Sequence, residues 1–152
     1  MTDIERRLEQ DLVVALRSRA PELGVLRMLK AALQNERIAK QAKEEGLGEA
    51  EVWAVLRREL KRRQEAAGLY EQGGRAELAQ SEQAEAQVVS RYLPPAPAVE
   101  QVREVMENIL REQNLSGPQA IGALTKATLA YFGGALDGQT ASQLARELLS
   151  QP

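Results

Sequence analysis

An all-α fold is predicted by the composition and periodicity of this 152-residue chain. Aromatic residues make up only 3% of it, whereas Ala, Leu, Glu, Gln and Arg, which favour helices over strands, are abundant. Apolar residues recur three or four positions apart, as they do on the buried face of an amphipathic helix. We therefore expect about four helices in an N-terminal part and three in a small C-terminal part.

The first two predicted helices form a hairpin. The first begins at Thr2, because Glu5 stands three residues on and completes a capping box. We expect it to end near Arg19–Ala20. Pro21 suits the first turn of the second helix, and the glycines within 46–48 are expected to end that helix.

Two further helices complete the N-terminal part, and a proline-rich segment follows them. We expect the third helix from about Glu49 to Tyr70 and the fourth from about Arg75 to Arg91, with Gly73-Gly74 between them. The run Leu93-Pro94-Pro95-Ala96-Pro97 cannot continue a helix, because proline lacks an amide donor and favours extended geometry in its predecessor. The predicted organisation is therefore a domain over 1–92, a hinge over 93–97 and a domain over 98–152.

Three helices are predicted in the C-terminal domain. Val102, Val105 and Ile109 mark the fifth helix of the chain, and Ser116 with Gln119 is expected to form a capping box for the sixth. A glycine-rich turn over 133–138 then precedes the last helix, for which Asp137 is the expected N-cap.

The composition excludes much enzyme chemistry. The chain has no cysteine and no histidine, so it lacks thiolate nucleophiles, sulfur-dependent zinc sites and the commonest general base. Glu82 and Glu85 lie one helical turn apart, but we interpret them as solvated charges because carboxylate metal sites in helical bundles usually also use histidine. We expect no catalytic residue, no metal and no cofactor.

The segment 133–140 has the spacing of a phosphate-binding loop, except that Gln139 stands where the lysine belongs. Such a loop also follows a strand of a parallel sheet, which an all-α chain does not supply. The segment is therefore interpreted as a glycine-rich turn that ends in an Asp cap.

Charge and hydropathy limit where the protein can be located and which partners it can bind. The net charge is −2 and the isoelectric point is about 5.4, so any contact with RNA must be local. No run approaches the roughly 18 apolar residues of a membrane span, and the first residues lack a signal-peptide profile. We expect a cytoplasmic protein.

Basic side chains concentrate in three places. Two lie in the N-terminal part, and we interpret these as solvated faces paired with nearby glutamates. They comprise Arg27, Lys30 and Arg37, on one face with Gln34, on the second helix, and Arg57-Arg58 with Lys61-Arg62-Arg63 on the third. The third place is the C-terminal domain, where Lys126 and Arg146 flank the glycine turn and would converge if their helices pack as a hairpin.

An ordered set of motifs resembles the YqeY family over essentially the whole chain. The motifs are Arg27–Asn35, Glu59–Arg63, Gly73–Leu78, Tyr92–Pro94, Ala120–Leu124 and Gly133–Gly138. The last two also resemble the C-terminal tail of GatB, the B subunit of the glutamine-dependent aspartyl/glutamyl-tRNA amidotransferase. This resemblance implies a helical N-terminal part and a small C-terminal module similar to the one with which GatB engages tRNA.

The resemblance further implies an accessory role without catalysis. Families of this kind carry the label of a carbon–nitrogen ligase that uses glutamine as amide donor, but that label belongs to the complex. Relatives commonly have a lysine after the Asp-Gly pair, where this chain has Gln139. Lys126, Arg146 and the amides around Gly138 remain the expected contacts to RNA phosphates.

Two alternatives stay open from the sequence. The acidic isoelectric point and the balanced charge of the N-terminal part are compatible with a helical protein-interaction adaptor that binds no RNA. An amide-transfer enzyme that uses carboxylate or lysine chemistry is the second alternative.

Overall fold

The computed structural model describes residues 1–42 and 44–150, with Gly134 described by its backbone alone. Its backbone falls into two compact units that meet in the sequence at Leu93 and Pro94. Within the described residues there are seven α-helices and no strand, which confirms the predicted all-α fold. None of these helices is long and apolar enough to cross a membrane.

Four helices form the unit that ends at Leu93. They are α1 (Asp3–Ser18), α2 (Leu23–Ala39), α3 (Glu49–Gln72) and α4 (Ala76–Ser90). The predicted capping box of α1 is present: the Glu5 amide donates to Thr2 Oγ1 at 3.2 Å, and the Thr2 amide donates to Glu5 Oε2 at 2.7 Å. Residues from all four helices meet in one apolar core around Leu8, Leu29, Leu56 and Val89.

The second helix ends earlier than the sequence predicted. It stops at Ala39, well before the glycines at 46 and 48, because Gln41 adopts a left-handed conformation with a φ of 55°. The Gln41 amide donates to the Ile38 carbonyl, and the Ala42 amide donates to the Arg37 carbonyl, each at 3.0 Å. These two bonds satisfy the last carbonyls of α2 in the manner of a Schellman motif, which glycine normally provides.

Helices α3 and α4 form a long antiparallel hairpin with a buried charge network. Arg63 is 4% exposed; its Nη1 donates to Glu59 Oε2 at 2.8 Å and its Nε donates to Glu85 Oε2 at 3.3 Å. Beyond this network, towards Gly73-Gly74, the buried contacts come from Ala67 and Ala79. Within the described residues, the apolar core takes no member from 61–87.

The segment after α4 is fixed to α1 by Tyr92. The Tyr92 hydroxyl donates to Asp11 Oδ2 at 2.5 Å, and the Arg7 guanidinium lies 4.9 Å from the centre of the tyrosine ring. Arg7 also donates to the Arg91 carbonyl. The ring itself is buried in the N-terminal core, so the chain immediately before Pro94 has a defined position on its own unit.

The second unit contains α5 (Val99–Gln113), α6 (Ile121–Phe132) and α7 (Gly138–Leu149). Its core is built by apolar residues of all three helices, with a leucine of the α6–α7 turn. The buried members are Val102, Met106, Ile109, Leu124, Leu136, Ala141, Leu144 and Ala145.

The predicted capping box at Ser116 and Gln119 is wrong. A short 3₁₀ turn over Pro118–Ala120 precedes α6, and its N-cap is Gly117, which has a φ of 80° and makes no side-chain cap hydrogen bond. Proline at the first position of a helical turn presets the backbone without needing an amide partner. The Gln119 side chain folds back over Gly117, where a Cβ would meet its Oε1 at 2.6 Å.

Candidate nucleic-acid interface

The glycine-rich turn between α6 and α7 is the first element of the candidate site. Gly133 has a φ of 59°, and a single 3₁₀ turn runs over Gly133–Ala135. Asp137 Oδ1 then accepts from the Thr140 amide at 3.0 Å, which confirms the predicted N-cap of α7. No strand precedes the turn in the described part of the chain, so the turn is an interhelical cap and not a phosphate-binding loop of the nucleotide-hydrolase kind.

Two backbone donors stand open at the start of α7. Within the residues that the structure describes, the amides of Gly138 and Gln139 have no hydrogen-bond acceptor. The first amides of a helix carry partial positive charge and attract anions. The carboxylate of Asp137 lies at the same helix end and opposes an incoming anion, so these amides by themselves make a weak site.

Lys126 lies one helical turn before Leu129, the residue of α6 that packs against this helix start. It is exposed and lies on the side of α6 opposite the buried residues Leu124 and Thr128. One helical turn further along α6, Leu129 Cδ1 is 4.0 Å from the place where a Cβ on Gly138 would stand. Among the described residues Lys126 has no carboxylate partner, so its charge is available to a ligand.

Arg146 is also exposed and has no ion-pair partner in the described part of the chain. It lies on the side of α7 away from Leu144 and Leu148. Eight residues separate it from Gly138, which corresponds to about 12 Å along the helix axis. The structure records no contact between Arg146 and Lys126. It therefore packs the turn of α6 that follows Lys126 against the start of α7, and Arg146 lies about 12 Å further along α7.

Sequence reasoning missed Tyr131, the residue before the last in α6. Its side chain is 69% exposed, the largest exposure among the large apolar side chains at the surface. The ring packs edge-on against Phe132, with ring centres 5.0 Å apart and an angle of 72° between the ring planes. A helical wheel could not have signalled it, because Tyr131 follows Leu124 and Thr128 at the i, i+4, i+7 spacing of one helix face.

The exposed basic residues of α3 are paired with nearby carboxylates, as the sequence predicted, whereas Arg63, which was expected on the same solvated face, is buried. Arg58 lies 3.0 Å from Glu36, Arg62 lies 3.4 Å from Glu59, and Lys61 lies 4.0 Å from Glu65. The first of these pairs joins α3 to α2. Exposed pairs of this kind contribute little stability, about 0–1 kcal/mol each, but they remove the net positive potential that RNA would require.

Two of the basic residues of α2 are also paired with carboxylates. Arg37 Nη2 lies 2.8 Å from Glu5 Oε1, and Lys30 Nζ lies 3.7 Å from Glu9 Oε1, so both residues pair with α1. Arg27 is exposed. The α2 stripe therefore serves mainly to hold α1 and α2 together.

The two acidic residues on α4, Glu82 and Glu85, differ in their surroundings. Glu85 accepts from Arg63 in the buried network, whereas Glu82 has no such role. Among the described residues no group of three or more carboxylates is placed to share a metal ion.

Comparison with curated proteins gives no match to the chain. A family model described as Yqey-like protein matches residues 5–149 and so extends across both units. This match confirms the resemblance seen in the ordered motifs, and the chain belongs to the YqeY-like family.

Proposed function

We propose that this protein is a non-catalytic tRNA-binding module that acts as an accessory to tRNA amidation. The observation that carries the proposal is the unpaired Lys126, one turn before the Leu129 side chain that packs against Gly138, together with the open amides of Gly138 and Gln139. This arrangement lies in the segment whose motifs resemble the tail with which GatB engages tRNA. Phosphate oxygens accept hydrogen bonds from both lysine and helix-start amides.

The local charge of α6 supports the proposal although the chain as a whole is acidic. Lys126 is the only charged residue between Ile121 and Phe132, so no carboxylate on that helix repels a phosphate. The acidic residues of this unit lie mostly on α5, at Glu100, Glu104, Glu107 and Glu112. A weak, salt-sensitive contact with a few phosphates is the mode of binding that such a surface favours.

The test is fluorescence anisotropy of labelled total tRNA with the purified full-length protein over a series of salt concentrations. The logarithm of the binding constant should fall with the logarithm of salt, with a slope of about −0.9 for each phosphate contacted. The double variant Lys126→Ala/Arg146→Ala should bind more weakly and reduce this slope by up to about two.

A matched control is available in the N-terminal unit. The variant Lys61→Ala/Arg62→Ala removes the same charge from exposed positions that are already paired, and it should leave the affinity nearly unchanged. The gain variant Gln139→Lys restores the lysine seen in relatives, and it should tighten binding and steepen the slope by about one phosphate. Equal losses in both double variants would show a non-specific charge effect and refute the site. No binding at low salt would refute the function and favour a protein partner.

A further inference from the structure

Met28 brings a surface thioether into contact with the buried charge network of the N-terminal unit. It lies in α2 and is 53% exposed, and its Sδ accepts a hydrogen bond from Nη2 of Arg63 at 3.6 Å. The two residues belong to the motifs Arg27–Asn35 and Glu59–Arg63, which the proposed RNA contacts leave unused. The Met28 sulfur is therefore open to solvent and bonded to a buried guanidinium at the same time.

The nitrogen Nη2 of Arg63 has a weaker acceptor than the other two nitrogens of the guanidinium. Nη1 donates to Glu59 Oε2 at 2.8 Å and Nε donates to Glu85 Oε2 at 3.3 Å. Among the described residues, Nη2 has the thioether of Met28 as its acceptor, and a thioether sulfur accepts hydrogen bonds only weakly. Because a buried donor gains from a stronger acceptor, an oxygen atom at this position would strengthen the junction of α2 with α3.

Oxidation of Met28 supplies such an oxygen atom. The sulfur lone pair attacks one oxygen of hydrogen peroxide, the O–O bond breaks and an S–O bond forms. The proton on the transferred oxygen passes to the departing hydroxide, which leaves as water. The sulfur is thereby oxidised by two electrons to the sulfoxide, and the peroxide is reduced by two. Methionine has three rotatable side-chain bonds, so the new oxygen can turn towards Nη2.

The position of Met28 differs from that of the other sulfur atoms in the chain. The sequence has no cysteine and three methionines, of which Met106 is fully buried in the C-terminal unit and Met1 is 54% exposed. Methionine oxidation disrupts apolar cores, but the N-terminal core does not include Met28 within the described residues. Oxidation at Met28 therefore removes little apolar packing.

We propose that Met28 is an oxidation site whose sulfoxide the N-terminal unit accepts, because Arg63 donates to the new oxygen and holds α2 against α3 more firmly than in the reduced protein. The proposal does not depend on RNA binding.

The experiment treats the full-length protein with hydrogen peroxide and locates the oxidised residues by peptide mass spectrometry. Urea unfolding is then followed by the fluorescence of Trp53, which lies in α3. Met28 should gain one oxygen atom well before the buried Met106. The urea midpoint should then rise by about 0.5 M, the shift expected for one improved hydrogen bond to a charged group.

Two variants separate this bond from other effects of the oxidant. Met28→Leu, treated in the same way, reports the effect of oxidising Met1, and its midpoint should not move. Met28→Gln needs no oxidant, since its Cδ takes the place of the sulfur and its carbonyl oxygen that of the sulfoxide oxygen. Leu and Gln have similar helix propensities, so Met28→Gln should exceed Met28→Leu in urea midpoint by about 0.5 M.

A midpoint that falls or stays constant when Met28 is oxidised would refute the proposal. Equal shifts in the treated wild type and in treated Met28→Leu would also refute it, because the effect would then come from Met1. The same holds if Met28 is oxidised no faster than Met106, or if Met28→Gln is no more resistant to urea than Met28→Leu.

Discussion

Replacement of Arg63 by methionine is expected to destabilise the N-terminal unit strongly. The arginine side chain is 4% exposed and bridges α3 and α4 through Glu59 and Glu85. Its Nη2 also approaches Met28 Sδ of α2 at 3.6 Å, so the guanidinium touches three helices. Methionine fills a similar volume as the arginine stem but leaves the Glu59 carboxylate, which is 10% exposed, without its closest cation.

The size of the destabilisation depends on the groups that still surround Glu59 and Glu85 in the variant. Removing one member of a buried ion pair costs about 3–5 kcal/mol. Glu85 is 35% exposed and can be solvated, and Glu59 retains Arg62 at 3.4 Å, so we expect the lower end, about 3 kcal/mol. For a unit of this size, that loss corresponds to a decrease in Tm of about 12–24 °C.

The assay is urea unfolding followed by tryptophan fluorescence. Trp53 is the only tryptophan of the chain and lies in α3, so its signal reports the unfolding of the N-terminal unit. Lys61→Met is the control, because Lys61 is 66% exposed and lies 4.0 Å from Glu65; its loss should cost less than about 0.5 kcal/mol. Equal costs for the two variants would show that the buried network contributes nothing beyond a surface pair.

Two further predictions concern one residue in each unit. Burial, followed by the hydrogen bond to Asp11, raises the pKa of Tyr92, so the stability it provides is complete below pH ~10 and is lost as the pH rises above that value. Tyr92→Phe should therefore show a shallower fall in the free energy of unfolding between about pH 9 and 11 than the wild type, measured by Trp53 fluorescence; parallel curves would contradict this. In the other unit, Asp137→Ala should cost about 1 kcal/mol through loss of the α7 cap. Ser116→Ala should cost nothing measurable by thermal circular dichroism, and equal effects would contradict the assigned cap.

The sequence predicted those boundaries at which a side chain or a glycine determines the backbone locally. Thr2 with Glu5, Gly73 and Asp137 all act within one helical turn, and the structure has helix boundaries at each of them. The end of α2 was not predictable in this way, because Gln41 is not a residue that favours the left-handed conformation. There, backbone hydrogen bonds and the packing of the hairpin outweigh the local preference.

The candidate site was predicted less completely than the fold. The exposure of Lys126 and Arg146 follows from helical periodicity, but their separation depends on how α6 and α7 pack, which periodicity does not give. The exposure of Tyr131 was not predictable, because the residue follows Leu124 and Thr128 at the i, i+4, i+7 spacing of one helix face, so that periodicity places it with the core.

The outer part of the α3–α4 hairpin is packed through alanines. The length of the hairpin can therefore change without a change in the apolar core of the unit. In the described chain the buried residues of this segment are Ala67 and Ala79, and the apolar core takes nothing from it. Removing or adding the same number of whole turns in both helices would preserve the register of the pair. The outer hairpin is therefore a part of the molecule in which evolution can accept insertions and deletions while the rest of the unit keeps its packing.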